Sequence, residues 1–183
     1  MSKGNILLSS ARSGTNYLLT AYSKCFPRNF VAKEIFRPTG DSFPLIEELT
    51  GLNKDEVLAL VATEPVELWQ KIVSAAEAEE REALAKIFYY HVDKADPLWS
   101  HFRDNDKVIH LIRRNAFDVF LSHKVANQTG KWQEFGKNKA PTEVEPLVLN
   151  RAEVVAFLDK QRDHVDHART FFAKADYAEL FYE

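Results

Sequence analysis

A segment of nine residues near the start of the chain has the composition of an anion-binding loop. It follows a short apolar run, precedes a helical pattern and reads Ser9-Ser10-Ala11-Arg12-Ser13-Gly14-Thr15-Asn16-Tyr17. Small residues allow backbone N–H groups to converge on a phosphate, and the positive end of the next helix points at the same place. Arg12 and the hydroxyls of Ser13 and Thr15 add charged and neutral donors. The segment therefore predicts a cradle for an anion.

The segment differs from the loop of nucleotide triphosphatases, which has the pattern Gly-x-x-x-x-Gly-Lys-Ser/Thr. When Gly14 is taken as the second glycine, Ser9 stands at the first. Thr15 then takes the place of the lysine, and Asn16 takes that of the hydroxyl residue. These replacements argue against a Mg²⁺-triphosphate site, and no metal is predicted in the chain. An ordinary strand-to-helix turn with a chance arginine is the alternative interpretation.

A second candidate segment, Leu111 to Lys124, combines an arginine and a serine at helical spacing. Asn115 can cap a helix and Asp118, three residues on, can complete the cap, so the start of the helix is well specified. Arg114 then lies at the mouth of the helix, and Ser122 follows about two turns later on the same side. The pair can hold one phosphate. Alternatively, Arg114 neutralises a neighbouring acid and Ser122 is an incidental helical serine.

Strands and helices alternate along the chain, and both segments follow predicted strands. Short β-rich runs predict strands at 4–10, 30–36, 87–90, 107–112 and 176–182. Apolar residues at helical spacing predict helices at 15–25, 63–84, 115–127 and 154–172, and Asn53 with Glu56 forms a capping-box pattern. This order is typical of a three-layer α/β fold with a mostly parallel sheet of about five strands and P-loop-like nucleotide-binding topology. Such folds bind ligands at the carboxyl ends of the strands.

The bulk composition predicts one domain. A chain of 183 residues with 45% hydrophobic content can form a single core, so residues 1–183 are taken as one domain. A net charge of −3 gives no general attraction to nucleic acid or to an anionic membrane, and neither is expected as a partner. The single cysteine, Cys25, excludes an internal disulfide and is expected on a buried helix face. The first apolar run is too short for a signal peptide, which predicts a cytoplasmic protein.

A polar stretch from residue 129 to 150, interrupted by glycine and proline, predicts a long loop. Long loops in compact domains are usually functional or mobile, so we expect a lid here. Lys131 and Trp132 at its start could fold over a nucleotide or an acceptor. They could equally anchor the loop.

The two segments together resemble the two signatures with which sulfotransferases bind 3′-phosphoadenosine 5′-phosphosulfate (PAPS). The matching residues are Ser10-Ala11-Arg12-Ser13-Gly14-Thr15 and, in the second segment, Arg114-Asn115 followed by Ser122. The second segment resembles the corresponding segment in the bacterial branch of this family, which contains the nodulation-factor and trehalose enzymes. The resemblance as a whole covers residues 4–40 and 84–132. One departure is Ala116, where many members of the family have proline. It implies that Arg114 and Ser122 hold the 3′-phosphate of the donor. The 5′-phosphosulfate would be held by Arg12, Ser13, Gly14, Thr15 and Asn16.

The same resemblance implies transfer of a sulfuryl group from PAPS to a hydroxyl or amine. The acceptor would be a small molecule or a carbohydrate, and the product of the donor would be 3′-phosphoadenosine 5′-phosphate (PAP). Bacterial relatives carry a glutamate base in a comparable segment, which implies that Glu34 is the base. Lys86 resembles the strand lysine that stabilises the leaving phosphate, and Arg12 would share that role.

Several alternatives remain open at this level. Glu34 could pair with Arg37 or Lys33 on the surface, and Lys86 could be an ordinary lysine with a buried stem. His91 is a second candidate for the base. The chain could also be a non-catalytic or degenerate protein that binds PAP or PAPS, or, with less support from the sequence, a small-molecule kinase of the same fold. The sequence predicts no oligomeric state.

Overall fold

A central parallel sheet organises the chain. The computed structural model describes residues 3–132 and 145–183. Its strands are Asn5–Ser9 (β1), Phe30–Ala32 (β2), Ala83–Phe88 (β3), Lys107–Ile112 (β4) and Asp176–Phe181 (β5). Every strand pair in these residues is parallel, and the order across the sheet is β2-β3-β1-β4-β5. The predicted α/β class and the predicted number of strands are confirmed.

Helices cover both faces of the sheet and give the fold three layers. They are Thr15–Cys25 (α1), Phe43–Thr50 (α2), Lys54–Thr63 (α3), Pro65–Ala78 (α4), Pro97–Asn105 (α5), Ala116–Thr129 (α6) and Arg151–Phe171 (α7). Alternate residues of a strand point to opposite faces. Leu7 of β1 accordingly packs with Leu19 of α1, whereas Ile6 and Leu8 pack with residues of α4, α5 and α7. Within the described residues, none of the helices combines the length and the apolar composition of a membrane-spanning segment.

The order of the strands opens a crevice at the carboxyl end of β1. From β1 the chain runs to β2 at one edge of the sheet, and from β4 it runs to β5 at the other edge. The loops that follow the adjacent strands β1 and β4 therefore diverge, and parallel sheets bind ligands at such a point. Leu8 pairs with His110 and Ser9 with Phe88, so the loops after β1, β3 and β4 begin at a similar level.

The second strand is shorter than the predicted range 30–36. β2 ends at Ala32, and Glu34 lies in the turn that follows. Ile35 and Phe36, which suggested a longer strand, are fully buried in the core that the helices form. Their hydrophobicity reflects this burial, and in so short a run burial cannot be distinguished from strand structure by pattern alone.

The predicted helix 63–84 and the predicted strand 87–90 also need correction. α4 ends at Ala78 and β3 begins at Ala83, so Lys86 lies inside the strand. The turn between the two elements contains Glu80 in the left-handed conformation, with a φ of 55°. Leu84 looked helical because it is apolar, but it belongs to β3 and packs against the α1 side of the sheet.

Two smaller differences concern helices. Cys25 is exposed, not buried as predicted, because it is the last residue of α1 and lies beyond the residues that contact the sheet. α5 was not predicted at all. In contrast, the capping box of Asn53 and Glu56 is confirmed at the start of α3, and Asn115 caps α6 as predicted.

The predicted lid falls largely outside the described residues. α6 ends at Thr129, Gly130 adopts a left-handed φ of 67°, and α7 begins at Arg151. Residues 145–150 form neither helix nor strand, as expected of a loop. Residues 133–144 are not described, so the lid remains a prediction.

A buried carboxylate fixes the start of β1 against two other elements. Asp106, whose side chain is 3% exposed, accepts hydrogen bonds from Gly4 N at 2.8 Å and from Trp69 Nε1 at 2.9 Å. Lys107 N donates to Gly4 O at 2.9 Å on the same side. A Cβ atom on Gly4 would lie 2.3 Å from the Trp69 ring, so only glycine allows this close approach.

We predict that Asp106→Ala lowers the free energy of unfolding by about 2–4 kcal/mol, because it leaves two buried N–H groups without an acceptor. Urea unfolding would measure the change. Asp104→Ala is the matched control, since Asp104 is exposed and bonds to its neighbour Arg103; we expect it to change stability by less than about 0.5 kcal/mol. Equal losses in the two variants would contradict the anchoring role.

Candidate functional site

The loops at the carboxyl edge of the sheet enclose a cavity of about 840 Å³, called here the loop cavity. It is lined by the loop after β1, the turn after β2, the end of β3 and side chains from α6 and the end of β5. Among its lining residues are seven of the predicted site residues: Arg12, Gly14, Thr15, Asn16, Glu34, Lys86 and Ser122. Ser13 and Arg114 do not line it.

The loop after β1 has two residues in the left-handed region. Arg12 has a φ of 66°, and Gly14, which precedes α1, has a φ of 82°. Gly14 makes no side-chain cap, so it leaves the first N–H groups of α1 available. A Cβ atom at this position would lie 2.1 Å from the Tyr182 ring, and so both the backbone conformation and the available space require glycine.

The serines of the loop brace its backbone. Ser13 is buried, and its hydroxyl lies 2.8 Å from that of Ser10. Ser9 donates to Leu111 O at 2.6 Å and thereby ties the end of β1 to β4. The Ser13 hydroxyl therefore has a partner within the loop, and its predicted contact with a ligand stays a prediction.

Lys86 connects the start of α1 with the turn after β2. Its side chain is 1% exposed, and its Nζ lies 2.8 Å from Glu34 Oε1 and 2.8 Å from Asn16 Oδ1. Burial lowers the pKa of Lys86, and the neighbouring Glu34 carboxylate opposes this shift. Lys86 is thus a buried charge between a carboxylate and the helix start, not a lysine that reaches the surface.

Glu34 is a carboxylate that three basic side chains of the loop cavity surround. Besides Lys86, Arg37 Nη1 lies 3.5 Å and His91 Nε2 3.8 Å from Glu34 Oε2. The pairing with Arg37 that the sequence offered as an alternative is therefore present. It does not remove Glu34 from the cavity, which the same residue lines.

His91 faces Glu34 as a neutral imidazole. Its Nδ1 accepts a hydrogen bond from Phe88 N at 3.3 Å, so the ring proton must lie on Nε2, toward Glu34. Burial lowers the pKa of His91 to about 4, against the opposing effect of Glu34. With its basic nitrogen engaged by the backbone, His91 is a weaker candidate for the base than Glu34.

Ser122 meets Arg12 and not Arg114. Arg12 Nε donates to Ser122 Oγ at 2.7 Å, and Arg12 also donates to Trp132 O. Arg113 supports the loop from the other side, since its Nη1 donates to Arg12 O at 3.3 Å. The loop cavity therefore has one end formed by Arg12, Ser122 and Arg113.

The Arg114 guanidinium lies elsewhere, 3.9 Å from the centre of the Phe181 ring. It lines a neighbouring cavity of about 420 Å³ between α6 and α7, called here the second cavity. The backbone N–H groups of Arg114 and Asn115 donate to the Glu183 carboxylate at 3.0 and 3.2 Å. The structure thus separates Arg114 from Ser122, with which the sequence had paired it.

Several residues of the loop cavity were not predicted. Arg113 was not predicted, because the sequence does not show which of the two adjacent arginines, Arg113 or Arg114, points to the loop. Tyr90 and Tyr182 follow the ends of β3 and β5 and bring exposed aromatic rings to the cavity. Their position as the last residues of the predicted strands 87–90 and 176–182 was a usable signal, whereas the contact of Tyr182 with Gly14 depends on the tertiary fold.

Within residues 3–132 and 145–183, no group of three His, Cys, Asp or Glu side chains could hold a metal ion. No protein-family model matches the chain, and no match was found among curated proteins. The function must therefore be inferred from the geometry and chemistry of the site.

The buried neutral state of His91 predicts a loss of stability in acid. The unfolded imidazole accepts a proton near pH 6.5 and the folded one only near pH 4, so the unfolded chain binds more protons between these values. The free energy of unfolding should fall there as the pH falls, by at most about 1.4 kcal/mol per pH unit from this group. Urea unfolding across this range should show that the free energy of unfolding depends less steeply on pH in His91→Gln than in the wild type. Above pH 7 the two curves should run parallel, and identical slopes throughout would contradict the prediction.

Proposed function

We propose that this chain is a sulfotransferase that moves a sulfuryl group from PAPS to a hydroxyl or amine of an acceptor. The observation that carries the proposal is the convergence of three groups in the loop cavity. An anion-binding loop, the buried Lys86 and the Glu34 carboxylate meet there, and Lys86 contacts both of the others. The resemblance of the two sequence segments to PAPS-binding signatures supports the same conclusion.

The residues present fit the donor. PAPS carries anionic groups at both ends, and the lining of the loop cavity includes the cations Arg12, Arg37, Lys86 and Arg113. A volume of about 840 Å³ is within the range of pockets that bind nucleotide-sized ligands. Gly14 keeps the helix start free of side-chain atoms, so that N–H groups can approach the 5′-phosphosulfate.

Glu34 is positioned to accept the proton of the acceptor. When bound, PAPS supplies a sulfuryl group joined to a good leaving phosphate. As the acceptor oxygen or nitrogen forms its bond to sulfur, Glu34 takes the proton and the sulfur–oxygen bond to the phosphate breaks. No covalent intermediate on the protein is required.

Lys86 couples this proton transfer to the charge on the leaving phosphate. Before reaction its ammonium group is paired with Glu34 at 2.8 Å. Once Glu34 is protonated, Lys86 loses its anionic partner at the moment when negative charge grows on the phosphate beside the loop. Arg12 and the N–H groups of the loop stabilise the same charge. Because Lys86 is buried, its interaction with that charge is weakly screened.

Arg114 is assigned to the 3′-phosphate in this proposal, together with Ser122. A cation–π contact such as that with Phe181 is worth about 0.5–1 kcal/mol at an exposed site. A hydrogen bond to a charged group contributes about 1.5–3 kcal/mol. A phosphate beside Ser122 would therefore draw Arg114 away from Phe181 and toward the end of the cavity formed by Arg12 and Arg113.

Binding of the product nucleotide tests the donor site. In calorimetric titrations we expect PAP to bind more tightly than ADP or ATP with Mg²⁺, because only PAP carries a 3′-phosphate. Arg114→Ala should weaken PAP binding by about tenfold or more, the loss of one charge-assisted hydrogen bond. Arg28→Ala, an exposed arginine away from the cavity, is the control. Equal affinities for PAP and ADP would contradict 3′-phosphate recognition, and absence of PAP binding would overturn the proposal.

Substitution of the base separates binding from turnover. Glu34→Gln should leave PAP affinity within about threefold of the wild type, while sulfuryl transfer over an acceptor panel falls by about 10²-fold or more. Asp41→Asn is the matched control, since Asp41 also pairs with Arg37, at 3.8 Å, but does not line the loop cavity. Equal turnover in the two variants would exclude Glu34 as the base. PAP binding by a wild-type chain without turnover on any acceptor would favour a non-catalytic PAP-binding protein.

A further inference from the structure

The second cavity has the properties of a separate ligand site. It lies between α6 and α7 and reaches the ends of β4 and β5. We propose that it binds a small organic anion that carries a phosphate or sulfate ester on an apolar body. The proposal goes beyond the transfer reaction, because the reaction uses the loop cavity.

The floor of the second cavity is apolar. Ile112 and Val119 contribute buried side chains from the β4 and α6 side, and Leu158 and Val165 contribute partly buried side chains from α7. A volume of about 420 Å³ exceeds what a bare phosphate ion needs and lies within the range of small-molecule pockets. An occupant with an apolar body of about the size of one ring would remove this surface from water.

Arginines line the same cavity from two directions. Arg113 and Arg114 come from the end of β4, and Arg162 and Arg169 come from α7, where a spacing of seven residues places them on one face. Asp166 is the acidic residue that lines the cavity beside them. Guanidinium groups that approach from different sides suit the several acceptor oxygens of a phosphate or sulfate.

These arginines are not equally available. Arg169 is engaged by Glu179 through Nε and Nη2 and by Asp166 through Nη1. Arg162 is 66% exposed and uses only its Nη2 on Asp159, at 2.9 Å. The Arg114 guanidinium has no ion pair among the described residues and stacks on the Phe181 ring. Arg114 and Arg162 can therefore meet an incoming anion without losing an existing bidentate pair.

A buried donor supports the same interpretation. The Nε–H of Arg113 is buried and has no hydrogen-bond partner in the described residues, although Arg113 Nη2 lies 3.3 Å from Asp118. Buried N–H groups without an acceptor are uncommon in proteins. Arg113 lines both the second cavity and the loop cavity, so an oxyanion bound beside it in the second cavity is one source of the missing acceptor.

Titration with simple esters tests the proposal. Phenyl phosphate and phenyl sulfate are added to the full chain without nucleotide, and binding is followed by calorimetry. We expect at least one ester to bind about tenfold more tightly than inorganic phosphate or benzyl alcohol. Inorganic phosphate presents the anionic group without an apolar body, and benzyl alcohol presents an aromatic ring without the anionic group. The tighter of the two esters identifies the head group. Failure of both esters to bind, or equal affinity for inorganic phosphate, would overturn the proposal.

A charge reversal locates the ester. Arg162→Glu should weaken ester binding by about tenfold or more, because Arg162 lines the second cavity only. Lys160→Glu makes the same charge change on an exposed neighbouring position of α7 that does not line the cavity, and should weaken binding by less than about twofold. Circular dichroism would confirm that both variants are folded. An ester affinity that Arg162→Glu leaves unchanged would place the ester elsewhere and overturn the proposal.

A second titration examines the link between the two cavities, and this step rests on the proposed function. Arg114 can serve only one anion at a time, so PAP and the ester should each weaken the binding of the other by the same factor. If PAP does not bind at all, the proposed function fails, but the ester titrations still test whether the second cavity binds an organic anion. Full exclusion of the ester by PAP, with no effect of Arg162→Glu, would show that the ester occupies the loop cavity instead.

Discussion

The buried ammonium group of Lys86 is the constraint on which the site depends. An isolated charge in the interior of a protein is unfavourable by several kcal/mol, so a lysine that is 1% exposed must have polar partners. Its partners are Glu34, in the turn after β2, and Asn16, in the first turn of α1. The burial of one charge in β3 thereby fixes the turn after β2 and the start of α1 relative to each other.

The sheet makes this constraint possible. Parallel strands in register bring the loops after β1, β3 and β4 to one edge, and direct bonds then join them across that edge. Ser9 bonds to Leu111 O, and Arg12 bonds to Ser122. Each of these bonds joins segments about a hundred residues apart in the chain, with separations of 102 and 110 residues. The geometry of the site is therefore a property of the whole sheet and not of the loop after β1 alone.

The sequence was sufficient where local chemistry decides the structure. Helical spacing predicted α1 from Thr15 to Cys25, β-rich composition predicted β4, and the caps at Asn53 and Asn115 follow from side-chain chemistry. It failed where distant residues decide, as for the apolar Ile35 and Phe36, which are buried outside any strand. The gathering of seven predicted residues around one cavity followed from the alternation of strands and helices. The sequence could not predict that Arg113, and not Arg114, lies beside the loop. This arrangement depends on the packing of the two guanidinium groups against the rings of Tyr182 and Phe181.

The contact between Gly14 and Tyr182 has a consequence for the order in which the protein is assembled. Gly14, in the loop after β1, is synthesised long before Tyr182, the tyrosine that packs against it. Contacts of such high sequence separation form slowly, because a long stretch of chain must be ordered before they can close. A nascent chain can therefore build β1 and α1 early and still lack one wall of its cavity until β5 has joined the sheet. Docking of β5 against β4 thus completes the wall of the loop cavity beside Gly14.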